Sequence, residues 1–551
     1  MIINNAKIVK KQIMKIRYIH ILLCVLAFIV MSCEEKANDW EFDTSHDRLF
    51  RTTLLETSNV NATSVQLHYK GVKNATKYVF EFSEGDSLLF NNIVRTVDIK
   101  ADTLSPYVSA TTDVKTEYHT LFEGLNGTTR YSVRMKAVNE VDGMESGYVN
   151  VSFITSAEQI FTDNIPGVAS INLSWIPESK VTNLLYGEVV TESDTIWATR
   201  YMITGDEKSV GNTVLNGLRP GTNYVIRIYN DKVLRGELRL KTLGSQSGKT
   251  LFIQPNDNVT DSLTKYSTIG ITDISLVFTG GKQYEIGEII APVGINNLYL
   301  VGDVASSGLL PELYLYKVTF SAPMKNLYYQ YVNIDAKLNS ANYLFNISDE
   351  KCFENISFEG CTIQNIVRSL LYVNKDNLLI KDININKCIV RNVASGGYGL
   401  LNVSKSTVTL DLISITNTTM IDIGDQLMQT KNAVGSIVVD KSIFCNYNIG
   451  IPKIFRFDKQ PLFVKVTNSI FTGDNKGAKV NSGNGDYSSY LDFSSCYLTS
   501  DFVMDSRKFT NAVTLAMPSE DLFVDPRNGD FHIKEGVKFT GAGKVGDPRW
   551  W

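Results

Sequence analysis

The sequence predicts an all-β chain, two tandem β-sandwiches followed by a parallel β-solenoid. Three observations carry this expectation. Val, Ile, Thr, Tyr and Phe recur in short runs, with Tyr and Phe each present 26 times, a composition that favours strands. Residues 50–243 alternate apolar and polar positions. The C-terminal half repeats one short pattern at intervals near 27 residues.

The chain has 551 residues, too many for one domain. It is 43% apolar and 20% charged, which excludes a disordered or multi-span membrane protein. The net charge of −4 offers no basic footprint, so nucleic acid is not an expected partner. Cys24 and Cys33 lie in the leader region; Cys352, Cys361, Cys388, Cys445 and Cys496 are far apart and odd in number. No disulfide framework or zinc site follows from that spacing. His46, His68, His119 and His532 are scattered, which leaves a histidine triad or histidine metal cluster little to work with.

Residues 1–32 read as a signal peptide. Lys7, Lys10, Lys11, Lys15 and Arg17 form a basic region ahead of the apolar run Ile19–Met31, which is short for a bilayer span. Met14 is a second plausible start, so translation from Met1 or Met14 stays open. The run ends Val30-Met31-Ser32-Cys33, which resembles a bacterial lipobox and makes Cys33 the lipidated first residue of the mature chain. Each buried methylene contributes about 0.8 kcal/mol, so several acyl chains hold a soluble domain at a membrane. Residues 33–49 form a tether, and Glu34-Glu35 resembles the surface-export signal of Bacteroidetes-type lipoproteins. The triplets at Asp86, Asp102, Asp194 and Asp261 resemble the short O-glycosylation motif of the same bacteria, though each also reads as a turn into a strand.

The first sandwich spans 50–155 and the second 156–243. Val65, Leu67 and Tyr69 share one face of a strand, as do Tyr78, Phe80 and Phe82; Ile171, Leu173 and Trp175 repeat the scheme. Leu125-Asn126-Gly127-Thr128-Thr129-Arg130-Tyr131 matches Leu218-Arg219-Pro220-Gly221-Thr222-Asn223-Tyr224. Both resemble the E–F corner of a fibronectin type III domain, where a tyrosine opening strand F bonds a nearby backbone group. Trp175 occupies the place of that fold's strand-B tryptophan, and Leu67 stands there in the first copy. Residues 244–250 form a polar Gly/Ser linker; their Gly-Lys-Thr lacks the spacing of a phosphate loop.

Residues 251–551 form the solenoid. Its key column is Cys361, Cys388, Thr418, Ser442, Ser469 and Cys496, at spacings of 27, 30, 24, 27 and 27. Each is preceded by an apolar residue and two polar or small ones, and followed two positions on by another apolar residue. Such a period without helices means coils stacked about 4.8 Å apart. The key residues fit a narrow interior at a bend, with Cys361 and Cys388 stacked and reduced. Asn365, Asn392, Asp422, Asn446, Gly473 and Ser500 form a second, asparagine-type ladder at another turn. Residues 251–350 supply the N-terminal coils and cap.

The turn-rich ending, Gly546-Asp547-Pro548-Arg549-Trp550, resembles the closing segment of pectate-lyase-like right-handed β-helix proteins. The mature chain as a whole resembles uncharacterised Bacteroidetes surface lipoproteins with fibronectin type III domains and such a β-helix. That resemblance implies an outer-membrane, polysaccharide-utilisation context, with polysaccharide and outer-membrane glycan-uptake proteins as partners.

Three functions from different classes stay open. Polygalacturonase motifs are absent. A uronate lyase needs calcium and a base; Asp440 and Lys441 sit side by side at one bend, and Asp382, Asp411, Asp422 and Asp425 lie in the same coils without a dense cluster. The residues favour non-catalytic binding of an acidic, pectin-like polysaccharide with no cofactor. Lys387, Arg391 and Lys441 are then the carboxylate partners, Lys387 and Lys441 sharing one bend column two coils apart. A structural or protein-interaction scaffold is the third reading.

Overall fold

The computed structural model describes residues 48–85, 87–106, 117–245, 248–304, 308–337, 343–447 and 453–551. The leader, Cys33 and nearly all of the tether lie outside them. The chain divides into two compact units, residues 1–156 and 157–551.

Unit 1 is an antiparallel sandwich. One sheet pairs Leu55–Val60, Ser64–Lys70 and Glu117–Glu123; the other has five strands, centred on Lys77–Glu84 and Arg130–Asn139. The alternation in the sequence is the alternation of burial: Val65, Leu67, Tyr69, Phe80 and Phe82 are fully buried between the sheets. At the corner, the Asn126 backbone N–H donates to Tyr131 Oη at 3.0 Å.

Unit 2 begins with the second sandwich, whose corner repeats the first: the Arg219 N–H donates to Tyr224 Oη at 3.0 Å. The flanking threonines repeat too. Thr129 N–H donates to Thr155 Oγ1 and Thr222 N–H to Thr242 Oγ1, both at 2.9 Å. Trp175 is 1% exposed and lies in the core. The stretch after this sandwich is packed, not a free spacer, as far as it is described. Leu243 and Val168 are buried against Val277 and Val301, outward-facing valines of the solenoid. The Gly244 N–H donates to Gln330 Oε1 at 2.9 Å and the Ser245 N–H to Ser275 Oγ at 3.0 Å. Burying such side chains is worth roughly 1.5–3 kcal/mol each, enough to seat the sandwich on the solenoid.

The solenoid contains a ten-stranded and a seventeen-stranded parallel sheet. A full coil has three strands, for example Leu379–Asn386, Ile389–Val393 and Gly399–Val403. The first strand belongs to the smaller sheet, the other two to the larger. The register is the one the repeat predicts: Phe358, Ile385, Ile415, Val439, Val466 and Phe493 pair in succession.

The bend between first and second strands explains the key column. Its middle residue is left-handed: Gly360, Lys387, Asn417, Lys441, Asn468 and Ser495 have φ between 46° and 64°. That conformation costs roughly 1–2 kcal/mol for a residue with a Cβ. The next residue offsets the cost with its hydroxyl or thiol. Ser442 Oγ donates to the Asp440 carbonyl at 3.0 Å and accepts the Thr418 N–H of the preceding coil at 3.4 Å. Thr418, Ser469 and Cys388 make the same turn-closing bond, to the carbonyl two residues back. All five cysteines of the solenoid are buried and unpaired. Of the second ladder, Asn392 Nδ2 donates to Asn365 Oδ1 at 3.1 Å, whereas Asn446 bonds the Ile423 backbone and Asp422 Oδ1 accepts the Tyr447 N–H.

A helix, Val259–Thr268, caps the first coils and was not expected from the sequence. Asn258 caps it by accepting the Asp261 N–H, and Val259 and Leu263 are buried in the solenoid core. The Asp261 triplet therefore lies in a helix, not at a turn into a strand.

Candidate functional site

The outer face of the second strands changes character along the solenoid. One outward column reads Gln283, Glu312, Asn333, Thr362, then Ile389, Thr419, Ile443, Ile470. The adjacent column reads Glu285, Tyr314, Asp335, Gln364, Arg391, then Ile421 and Cys445. The face is thus polar in the early coils and apolar in the later ones.

The apolar part is covered by the C-terminal segment. Ile421, Ile443, Cys445 and Ile470 share a core with Leu522, Phe523, Phe531, Phe539 and Val545. A two-stranded hairpin, Phe523–Asp525 with Asp530–Ile533, and the final turn Pro548–Trp550 shape the cover. Asp547, 1% exposed, accepts from Thr419 Oγ1 at 2.8 Å and from Arg549 Nε at 2.7 Å. Burial pushes its carboxyl above the usual range, and Arg549 and Thr419 partly oppose that. Arg549 Nη2 reaches the Cys388 carbonyl at 3.3 Å. The Gly-Asp-Pro-Arg-Trp ending is a clamp built on the buried Asp547.

The polar part is open. Gln283, Glu312, Asn333 and Thr362, with Pro255, Lys282, Leu309 and Leu310, line a concavity of about 630 Å³. Gln283 Nε2 donates to Glu312 Oε2 at 2.7 Å. Asn333 Oδ1 is buried with no hydrogen-bond partner among the described residues. Beside the concavity, Lys337 Nζ sits 3.3 Å from the Tyr314 ring centre and 2.9 Å from Glu285 Oε1. Amides, carboxylates, a hydroxyl and an aromatic face together suit a polar, extended ligand.

The residues singled out from the sequence scatter. Lys387 and Lys441 stand in one bend column with Asn417 between them, as the repeat implies. Lys387 Nζ lies 3.6 Å from Glu359 Oε1. Asp440 Oδ1 accepts from Thr467 Oγ1 at 2.6 Å and Asn468 Nδ2 at 2.8 Å, so its carboxylate is a rung of the bend. Arg391 is half-buried. It lies beneath the closing segment and donates to the Asn528 carbonyl at 2.8 Å; the spacing of the repeat carries no sign of a cover arriving from 137 residues away. Among the described residues, no three His, Cys, Asp or Glu side chains group so as to hold a metal ion. The concavity itself draws on the cap and early coils, where the register of the sequence repeat is poorest.

Comparison with known proteins adds context. The family model of a domain of unknown function, DUF5123, matches residues 413–550, a stretch that contains both the covered coils and their cover. A two-domain fibronectin type III segment of chicken tenascin is similar at 18% identity, covering 35% of this chain and 99% of that one, with a TM-score of 0.22. Chicken CNTN1 domains FN1–FN3 are similar at 15% identity, covering 37% and 70%, with a TM-score of 0.17. No curated protein sequence matches.

Proposed function

We propose that this is a surface-displayed outer-membrane lipoprotein, anchored through Cys33, whose solenoid binds acidic, pectin-like polysaccharide without cleaving it, beside glycan-uptake proteins of the same membrane. The observation that carries the binding reading is the open polar stretch. The same sheet face that needs a cover in the later coils is polar and uncovered in the early ones, over a concavity of about 630 Å³. Solvated amides and hydroxyls on a rigid parallel sheet recur at the coil spacing, which favours a repeating, hydroxyl-rich ligand.

Glu285, Glu312 and Asp335 make this stretch itself better suited to uncharged sugar units. Carboxylates of an acidic chain would be met by Lys387 and Lys441 on the adjoining bend, each contact contributing only about 0–1 kcal/mol. Retardation of the full chain in polysaccharide-loaded gels tests the assignment. Glu312→Ala with Asn333→Ala should abolish retardation, and Lys387→Ala with Lys441→Ala should weaken it on acidic polymers alone. Unchanged retardation in both pairs would remove this site from the account. Loss of membrane association in Cys33→Ala tests the anchor.

The lyase reading assigns chemistry to Asp440 and Lys441. It is less well supported, because Asp440 already serves the bend and no acidic cage for calcium groups among the described residues.

A further inference from the structure

The third strands carry a second feature that the binding reading does not use. Tyr343 and Tyr372, from successive coils, stack at 4.6 Å between ring centres and 16° between planes. Tyr398, from the loop of the next coil, meets Tyr343 edge-on at 6.2 Å. Arg368 lies over this group. Its guanidinium carbon is 5.6 Å from the Tyr343 ring centre and 5.1 Å from that of Tyr398, and Nη1 donates to Tyr343 Oη at 3.1 Å.

Three of the six solenoid arginines have carboxylates: Arg527 pairs with Glu520, Arg549 with Asp547, Arg507 with Asp486. Arg368 pairs with none among the described residues, and the solenoid stretches outside them, 305–307, 338–342 and 448–452, contain no Asp or Glu. Its planar fork is held by aromatic rings in a fixed orientation with its charge unmatched. Next to Tyr372 in register is Asn402, 4% exposed, whose Oδ1 has no hydrogen-bond partner among the described residues. Residues paired across parallel strands project from the same side of the sheet, so this acceptor belongs to the same patch.

We propose that Arg368, Tyr343, Tyr372, Tyr398 and Asn402 form a binding site for one carboxylated sugar unit of a polysaccharide. The guanidinium takes the carboxylate through two parallel N–H···O bonds, a geometry that lysine does not reproduce. A tyrosine face takes the apolar C–H face of the sugar ring. Asn402 Oδ1 accepts a sugar hydroxyl. The site deepens the polysaccharide-binding reading and rests on it: it locates the acid-recognising contact away from the concavity.

The test is calorimetric titration of the full chain with a hexamer of galacturonic acid, its methyl ester and a neutral galactose hexamer. Binding of the free acid should weaken at least tenfold in Arg368→Gln, a planar but uncharged replacement, and stay well below wild type in Arg368→Lys. Tyr372→Ala should weaken it as well. Thermal melts of each variant separate loss of contact from loss of fold, and Asn402→Ala provides a probe that leaves the arginine in place. Equal affinity of wild type and Arg368→Gln for the acid, or equal affinity of wild type for acid and ester, would overturn this site while leaving polysaccharide binding intact. Absence of binding to all three hexamers and to longer glycans would overturn both.

Discussion

Trp550 Nε1 donates to Thr419 Oγ1 at 2.8 Å, joining the last turn of the chain to a strand 131 residues earlier. The same threonine hydroxyl donates to Asp547. One side chain in the middle of the solenoid is therefore the anchor of the C-terminal clamp. Apolar residues on the outer face of a sheet are unstable without a cover, and the clamp supplies it.

The first prediction follows from that cover. Phe531 is fully buried between the closing hairpin and the coils beneath it. Phe531→Ala should cost about 3–5 kcal/mol by lost burial and the cavity left behind. Denaturant unfolding checks this; an unchanged midpoint would mean that the closing segment does not pack on the sheet.

Inside the solenoid, Phe444 stacks on Phe471 at 4.9 Å and 10° between planes. Phe471 is fully buried, whereas Phe444 is partly exposed beside a small concavity. Phe471→Ala should therefore cost about 3–5 kcal/mol and Phe444→Ala clearly less. The reverse order in denaturant midpoints would contradict the register.

A third prediction concerns polarity in the smaller sheet. Asn297 Nδ2 donates to Asp273 Oδ1 at 2.7 Å, Asn326 Nδ2 to Asn297 Oδ1 at 2.6 Å, and Asn355 Nδ2 to Asn326 Oδ1 at 2.7 Å. The next residue in register is Asp382, itself an acceptor, and Asn355 Oδ1 has no hydrogen-bond partner among the described residues. Three amides between two carboxylates supply one donor too few, whichever way the amides are turned. Asp382→Asn supplies it and should stabilise by about 0.5–1.5 kcal/mol. A lower melting midpoint in this variant would contradict the ladder.

The fourth lies in the first sandwich. His119 faces His68, ring centres 4.5 Å apart, and His68 bridges Glu56 at 3.0 Å and Glu117 at 3.1 Å. Burial, then the neighbouring His68, hold His119 below its ordinary value of 6.5, against the pull of Glu117 and Glu56. A base held low in the fold is protonated first in the unfolded chain. The stability it contributes is full above about pH 6.5 and is lost as pH falls through the folded value. Calorimetric scans from about pH 7.5 to 5 should show wild type losing more stability than His119→Gln; equal losses would contradict the assignment.

How much of this was legible in the sequence differs by element. The key column from Cys361 to Cys496 was readable because each coil needs a small hydrogen-bonding side chain at the same bend, and a local requirement repeated in space repeats in sequence. The two corner tyrosines were readable for the same reason. The contact of Arg391 with Asn528 was not readable, because it comes from the far end of the chain and no local spacing reports a distant partner. The contacts of Gly244 and Ser245 in the 244–250 linker were not readable, because their backbone N–H groups bond solenoid side chains that only the fold brings near. The Tyr343, Arg368, Tyr372 and Tyr398 group escaped notice because its members hold unequal positions in their coils, so only the fold brings them together. The polar-to-apolar switch after Thr362 was present in the sequence, but it becomes a signal only once strand pairing sets which residues face outward.

The most direct test of the central claim is to incubate the full chain with uronate polysaccharides in the presence of calcium, recording bound fraction and new unsaturated chain ends in the same samples. The account predicts salt-sensitive binding and no new ends. Steady formation of unsaturated ends, lost in Asp440→Ala or Lys441→Ala, would contradict it and establish the lyase.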